Sequence, residues 1–458
     1  MHNYQKIATK LLQHQEDALS KLDKVDSLLL YHGMGSGKTL TALQASERLN
    51  TPATIIGPAA LKSNFKKEKI KHKSKGKFKY HTYHKPPTKE DHKLLVFDEA
   101  HLMGRLDSQR SKYPDTYQGE KEIFMTGTPI RNRPSELIPL LRGLGIKVPR
   151  DAKTFKENFV KEIKVNPNIF ASIFKGVKPG VIYRGKNLNY LENELEGKVH
   201  YYKPSSEGYP STHESTIPVT MSKRQLTTYK EMLKKKPSLA YKVKHGLPPA
   251  KSEAGSMNAF LNASRQVSNT PRAYNASSKL KDAPKLNMAT EEILKRIKKN
   301  PKYRGVTYSN YLESGVDAMS ERLKKHKVPH TSFTGRLSDN DKQQVIKDFN
   351  KGKYKHLLIS GAGAEGLDLK GVRLMQILEP HWHNSKLEQV KARAIRYKSH
   401  EHLDKKNRRV DIQKFISKVP PTRFLKRKLK STDEYMYNLS AQKDELNNDF
   451  LQMLKSVR

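Results

Sequence analysis

Residues 26–42 read DSLLLYHGMGSGKTLTA: an apolar run, a glycine-rich loop and the start of a helical pattern. No other stretch limits the possible folds so sharply. A run as continuously apolar as LLLY suits a strand buried on both faces, as in a parallel sheet covered by helices. Gly33, Gly35 and Gly37 let the following loop curl tightly, so that several backbone N–H groups converge on one anion. The helix that opens there adds the positive end of its dipole. Ser36 lies inside the loop, and Lys38 and Thr39 follow it. In such a cradle the lysine reaches the β- and γ-phosphates of a nucleotide and the threonine hydroxyl ligates Mg²⁺. The strict pattern has glycine at position 32, where this chain has His32.

The same apolar runs recur. Residues 53–57, 94–97 and 122–125 read as further strands alternating with helical patterns, and the alternation resumes with strands at 304–309, 356–359 and 374–378. Helices are expected at 135–144, 154–164, 223–233, 285–299, 311–325 and 339–350. The fold class is therefore α/β, with two parallel-sheet lobes. The expected division is a nucleotide-binding lobe over 1–150, a helical and loop-rich connector over 151–284, a second lobe over 285–420 and a basic helical tail over 421–458.

Two strand ends carry chemistry. Asp98-Glu99-Ala100-His101 follows the strand LLVF; Asp98 suits Mg²⁺ and Glu99 suits the base that orients an attacking water. Thr126-Gly127-Thr128-Pro129 follows the strand EIFM, where small hydroxyl residues can link hydrolysis to the second lobe. In that lobe, a glycine-rich turn (360–371) follows HLLI, and Gln389, Arg393 and Arg396 lie beyond it. If helical, the two arginines share a face, and one can act as an arginine finger.

Composition narrows the partners. Lys+Arg is 88 against Asp+Glu 46, a formal charge of +42 in 458 residues, which draws polyanions. No membrane partner is expected, because no apolar run approaches a membrane span and no basic amphipathic helix stands out. There are no cysteines, which excludes disulfides and thiolate metal sites. The 18 histidines are scattered and show no metal-binding pair. MHNYQKIATK lacks the apolar core of a secretion signal, so a cytoplasmic, reducing location is expected.

With these motifs in place, the chain resembles the superfamily-two helicases, and within them the Swi/Snf-like branch. The likeness runs from about residue 11 to 450. LLQHQEDAL supplies the glutamine, Gln15, that reads adenine in that family. PAALKSNFKKE (58–68), TGTPIRNRPSELIPLL (126–141), MSKRQLTTY (221–229), SRQVSNTP (264–271), TGRLSDNDKQQVIKDFN (334–350) and EPHWHNSKLEQVKARAIR (379–396) match its other motifs in order. Departures are Phe65 where tryptophan is usual, GAEGLDL in the glycine turn and RYKSH at 396–400. The large insertions of chromatin remodellers are absent, as in the compact forms of phages and large DNA viruses.

The resemblance implies two RecA-like lobes and an ATPase using ATP and Mg²⁺. Lys38, Glu99, Gln389, Arg393 and Arg396 would be catalytic. Gln15, Gly33, Gly35, Ser36, Gly37, Lys38, Thr39, Asp98, Gly366 and Asp368 would hold the nucleotide, with Thr39 and Asp98 on the metal. Pro58, Lys62, Thr126, Thr128, Thr334, Gly335 and the 360–368 turn would line the nucleic-acid track. ATP would bind between the lobes, with the arginines completing the site. Basic stretches at 66–79 and 423–430 can add phosphate contacts. The expected partner is double-stranded or branched DNA, with single strands and RNA also compatible, and replication, recombination or transcription proteins beside it. The expected function is fork or junction remodelling. The alternatives are a strand-separating helicase, or an ATP-driven accessory factor of a transcription or virion complex.

Overall fold

The computed structural model describes residues 11–457, apart from Met34, 90–91, Ser206, 362–367, 382–383 and 422–428. The chain forms two compact units. The first takes 1–162, 183–205 and 443–458, and the second takes 163–182 and 206–442.

In chain order the strands are β1 (Ser27–His32), β2 (Ala53–Gly57), β3 (Phe78–Thr82), β4 (His92–Asp98), β5 (Gly119–Thr126), β6 (Val160–Val165), β7 (Gly180–Gly185) and β8 (Val199–Tyr202). Then come β9 (Ser211–Thr220), β10 (Gly305–Ser309), β11 (His330–Phe333), β12 (His356–Ser360), β13 (Leu374–Ile377) and β14 (Arg409–Lys418). The first sheet has the order β3-β2-β4-β5-β1-β8 and the second β11-β12-β10-β13-β14-β9. Every described pairing within these two sheets is parallel. β6 and β7 form a separate two-stranded sheet.

Burial follows the apolar runs. Leu28, Leu29 and Leu30 of β1 and the LLVF run of β4 are almost completely buried. Helices α1 (Gln13–Lys24), α2 (Lys38–Arg48) and α3 (Lys62–Lys71) belong to this unit. Phe65 of α3 packs between Phe78 and Tyr80 of β3, with ring centroids 5.6 and 5.4 Å away. The register decides function: Tyr31 pairs with Thr126 and Tyr201, and Asp98 pairs with Met125. The carboxyl ends of β1, β4 and β5 therefore share one sheet edge, where ligands gather in open parallel sheets. The second sheet repeats this, pairing Ser309 with Ser360 and Phe333 with Ile359.

Several elements differ from expectation. The helix expected over 154–164 ends at Phe159, and Val160–Val165 is a strand, because Val160, Ile163 and Val165 favour the pleated backbone. The 135–144 helix is split into a 3₁₀ turn, Pro134–Leu137, and a helix, Ile138–Gly143, with prolines at the start of each. The 311–325 helix begins as a π-helical turn, Leu312–Asp317, before Ala318–Lys325. The 151–284 stretch gives β8 to the first sheet and β9 to the second. In the tail, Thr432–Ser456 is helical, and most of the basic stretch 423–430 lies outside the described residues.

Candidate nucleotide site

The loop after β1 is built as its glycines suggest. Gly35 and Gly37 both take φ of +79°, and Gly37 caps the N-terminus of α2. A Cβ on Gly37 would sit 2.5 Å from Gln15 Nε2, and one on Gly33 would sit 2.6 Å from the Pro204 ring. Gly33 needs glycine for space against the proline ring, and Gly37 needs it for its left-handed conformation.

Lys38 Nζ donates to the carbonyls of His32 (2.9 Å) and Gly33 (3.2 Å). Gln15 Nε2 donates to Gly37 O at 3.3 Å, so the residue assigned to adenine rests on the loop. Thr39 follows Lys38 in the first turn of α2.

Asp98 and Glu99 stand at the end of β4, and Glu99 takes φ of +52°, unusual for a residue with a side chain. Burial pushes the Asp98 carboxyl up to about 7, and the neighbouring Glu99 charge adds to this. Lys38 and the Glu99 N–H, which donates to Asp98 Oδ1 at 3.0 Å, pull the other way. Burial also lowers Lys38, although both carboxylates favour its charged form. Desolvation thus exceeds the attraction between these groups on both sides. Crowded oxygen donors beside a lysine and a left-handed glycine loop suit a divalent cation and a polyphosphate.

His101 connects the two strand ends. Its Nδ1 lies 2.8 Å from Thr126 Oγ1 and 3.3 Å from Glu99 Oε2. The Arg131 guanidinium donates to Nε2, so the proton sits on Nδ1 and is shared toward Thr126 and Glu99. Burial, then the Arg131 and Lys38 charges, hold His101 down to about 3. The contact with Glu99 is therefore a hydrogen bond of a neutral imidazole, not an ion pair. Thr126 Oγ1 also accepts from Thr128 N at 3.1 Å.

Sequence reasoning missed a cluster of rings beneath the loop. His14 stacks on Tyr202 at 3.6 Å with planes 1° apart, and its Nε2 donates to Ser36 O at 2.8 Å. His32 is buried, lies 2.7 Å from His200 Nδ1, and is held down to about 3 chiefly by burial. The residue that departs from the strict glycine pattern is thus secured by strand β8. Tyr80 was also missed; it donates to Pro58 O at 2.9 Å at the end of β2. Lys62 is exposed at the start of α3.

In the second unit, Thr334 is buried just past β11 and accepts from Arg336 N at 3.3 Å, with Gly335 exposed beside it. Gly366 lies outside the described residues. Gln389 is exposed on the Asn384–Ala394 helix, whose last turn holds Arg393. Arg396 does not share that helical face. The helix stops at Ala394, and a turn follows in which Ser399 Oγ donates to Arg396 O at 2.7 Å and Lys398 adopts φ of +58°. Arg396 Nη1 lies 3.2 Å from Asp368. Among the described residues, no cluster of three or more acidic or histidine side chains forms a metal site.

A putative ATP-dependent RNA helicase of Acanthamoeba polyphaga mimivirus is 31% identical over 467 residues, covering 97% of this chain and 96% of that protein. The SNF2-related domain matches residues 79–273, and the helicase conserved C-terminal domain matches 285–398. The chain belongs to the SNF2-related helicases. This SNF2-type protein is accordingly a nucleic-acid-dependent ATPase. A termination factor NPH-I homolog of African swine fever virus is 24% identical over 558 residues, covering 93% of this chain and 75% of that protein. The helicase domain of Pyrococcus furiosus Hef shares the fold, with a TM-score of 0.51 at 15% identity over 88% of this chain and 95% of that one. Two parallel-sheet units with the fold of a helicase domain are thus present. No helix among the described residues is long and apolar enough to cross a membrane.

Proposed function

We propose that this SNF2-type ATPase is a translocase whose track is duplex or branched DNA and which remodels forks or junctions. The observation that carries this reading is the set formed by Lys38, Asp98 and Glu99 at one sheet edge, in a chain of charge +42. In this reading the N–H groups of the Gly33–Gly37 loop and the Lys38 ammonium bind the phosphates. The side chains of Thr39 and Asp98 hold Mg²⁺, which when bound neutralises phosphate charge. Glu99, kept in place by the His101 proton, orients the attacking water. Gln15 recognises the base. Gln389, Arg393 and Arg396, with Gly366 and Asp368, act on the nucleotide from motifs of the second unit. Pro58, Lys62, Thr126, Thr128, Thr334 and Gly335 contact the nucleic-acid backbone.

A second reading, an ATP-driven factor acting in transcription, is favoured by the African swine fever virus relative, a termination factor NPH-I homolog. Likewise the mimivirus relative is named an RNA helicase, which makes RNA the necessary comparison. The test is the ATPase rate with blunt duplex DNA, forked DNA, single-stranded DNA and RNA at one fixed salt concentration. Duplex or forked DNA is expected to stimulate most, and Lys38→Ala to abolish the stimulated rate. Unchanged turnover in that variant defeats the assigned site, and stimulation by RNA alone defeats the DNA track.

A further inference from the structure

Between β6 and β7 the chain forms the Ile169–Lys175 helix, capped by Asn168, whose side chain accepts from Ala171 N, and ended by Gly176 at φ +59°. Its foot is anchored within the second unit. Ala171 and Val177 are buried, Val181 N donates to Pro249 O at 3.2 Å, and Lys175 Nζ lies 5.1 Å above the Tyr241 ring. The opposite face is bare. Ile169, Phe170, Ile173 and Phe174 are 74%, 73%, 69% and 76% exposed. Among the described residues, exposed large apolar side chains are otherwise scattered, so this concentration on two helical turns marks a contact surface.

The charge around it selects the partner. Lys164, Lys175 and Lys178 are exposed in the same short stretch of the second unit, and no Asp or Glu occurs from 163 to 178. Lysines crowd the helix foot as well: Lys244 is lowered first by burial and then by the charges of Lys175 and Lys230. An anionic partner relieves this repulsion. The rings of Phe170 and Phe174 lie within 13° of parallel, with centroids 6.2 Å apart, and so offer two flat faces of common orientation. Flat aromatic faces within a cationic rim are the means by which unpaired bases are held, the rings stacking and the lysines meeting phosphates. Apolar wedges flanked by such contacts also unstack base steps.

We propose that the Ile169–Lys175 helix stacks on unpaired bases where a DNA duplex opens, at a fork or frayed end. This rests on the reading of DNA as the track, and it adds a strand-opening element that the ATPase motifs do not supply. The helix meets the end of the paired region with Phe170 and Phe174, while the flanking lysines retain the displaced strand.

The test measures equilibrium binding without ATP, using the full chain, to a blunt DNA duplex, the same duplex with unpaired DNA arms, and the same duplex with RNA arms. In parallel, duplex-stimulated ATPase and separation of the forked strands are followed. Phe170→Ala/Phe174→Ala is expected to weaken forked-DNA binding about tenfold or more and to slow strand separation. Blunt-duplex binding and duplex-stimulated ATPase should stay within about twofold by the same reasoning. Phe170→Trp/Phe174→Trp should restore fork binding. An unchanged fork affinity in the alanine variant overturns the proposal, as does an equal loss on blunt duplex. Stronger binding to RNA arms than to DNA arms overturns the DNA assignment. A wild-type dimer that becomes a monomer in the alanine variant, with fork binding intact, overturns it in favour of a second copy of the chain. Absence of any nucleic-acid-stimulated hydrolysis in the wild type would instead defeat the track reading, and the ATP-free binding data tell the two failures apart.

Discussion

At several residues of this protein, Asp98, Lys38 and Glu122 among them, burial outweighs the neighbouring charges and hydrogen bonds. Glu122 on β5 is the cleanest case. It accepts from Gly119 N at 3.0 Å, yet burial pushes it up to about 7 from an ordinary value of 4.5. Its folded pKa is raised, so below about 4.5 both states hold the proton and there is no effect on stability. As pH rises to 7 the unfolded chain ionises first, and stability falls by about 3 kcal/mol, a loss that persists above 7. Glu122→Gln keeps an acceptor for Gly119 and removes the penalty. Urea unfolding at pH 8 should show the variant more stable by up to about 3 kcal/mol, with little gain at pH 5. An equal gain at both pH values would assign the effect to packing instead. Lys38, Asp98 and Glu99 were readable in the sequence because each abuts an apolar strand within a few positions. His14, His200, Tyr202 and Arg131 were not, because they meet their partners only after distant segments pair.

Secondary elements of the second unit are joined by a buried polar network. Lys285, at the start of the Pro284–Lys299 helix, is fully buried and meets Asp433 at 2.7 Å, Asn269 Oδ1 at 2.9 Å and Leu378 O at 2.9 Å. Asp433 also accepts from Ser417 N of β14 at 2.9 Å, and Asn269 donates to buried Glu379 at 3.0 Å. Removing one charge strands the other, so Asp433→Ala should cost about 3–5 kcal/mol. The replacement Lys285→Met with Asp433→Leu should cost much less, because neither charge is left unpaired. Denaturant unfolding of the three proteins decides this; equal losses in the single and double variants would refute the network's importance. Most helices and the central strands with long apolar runs were legible, whereas the Ala254–Asn269 helix and β3, β6, β7, β8, β9, β11 and β14 were not. Such strands are short, polar or edge-placed, and their pairing depends on neighbours rather than on their own pattern. Lys285 and Asp433 look like ordinary surface charges until the helices pack, since sequence alone gives no sign of their burial.

For the whole molecule, the charge of +42 sets how binding responds to its medium. Each phosphate met by a lysine or arginine releases a counterion, so log affinity should fall linearly with log salt at about −0.9 per contact on duplex DNA. If six or more phosphates are engaged, raising salt from about 50 to about 200 mM should weaken binding by about 10³ or more. A shallow slope, near one contact, would show that the charge is spread over a surface the nucleic acid does not touch. The charge was readable from composition, while its placement depended on the fold.

The first unit is assembled from three separated segments, and its core draws on Phe450, Met453, Leu454 and Val457 beside Phe155, Leu191 and Leu195. A ribosome delivers these pieces in order. The phosphate loop emerges early, but the hydrophobic centre of its unit stays unfinished until residues 443–458 arrive, after the entire second unit has been made. The nascent first sheet must therefore wait with part of its apolar face uncovered, a period in which an unfinished chain is prone to aggregate. Nucleotide-binding competence would then come late in synthesis, although the loop that carries it is among the first parts to appear.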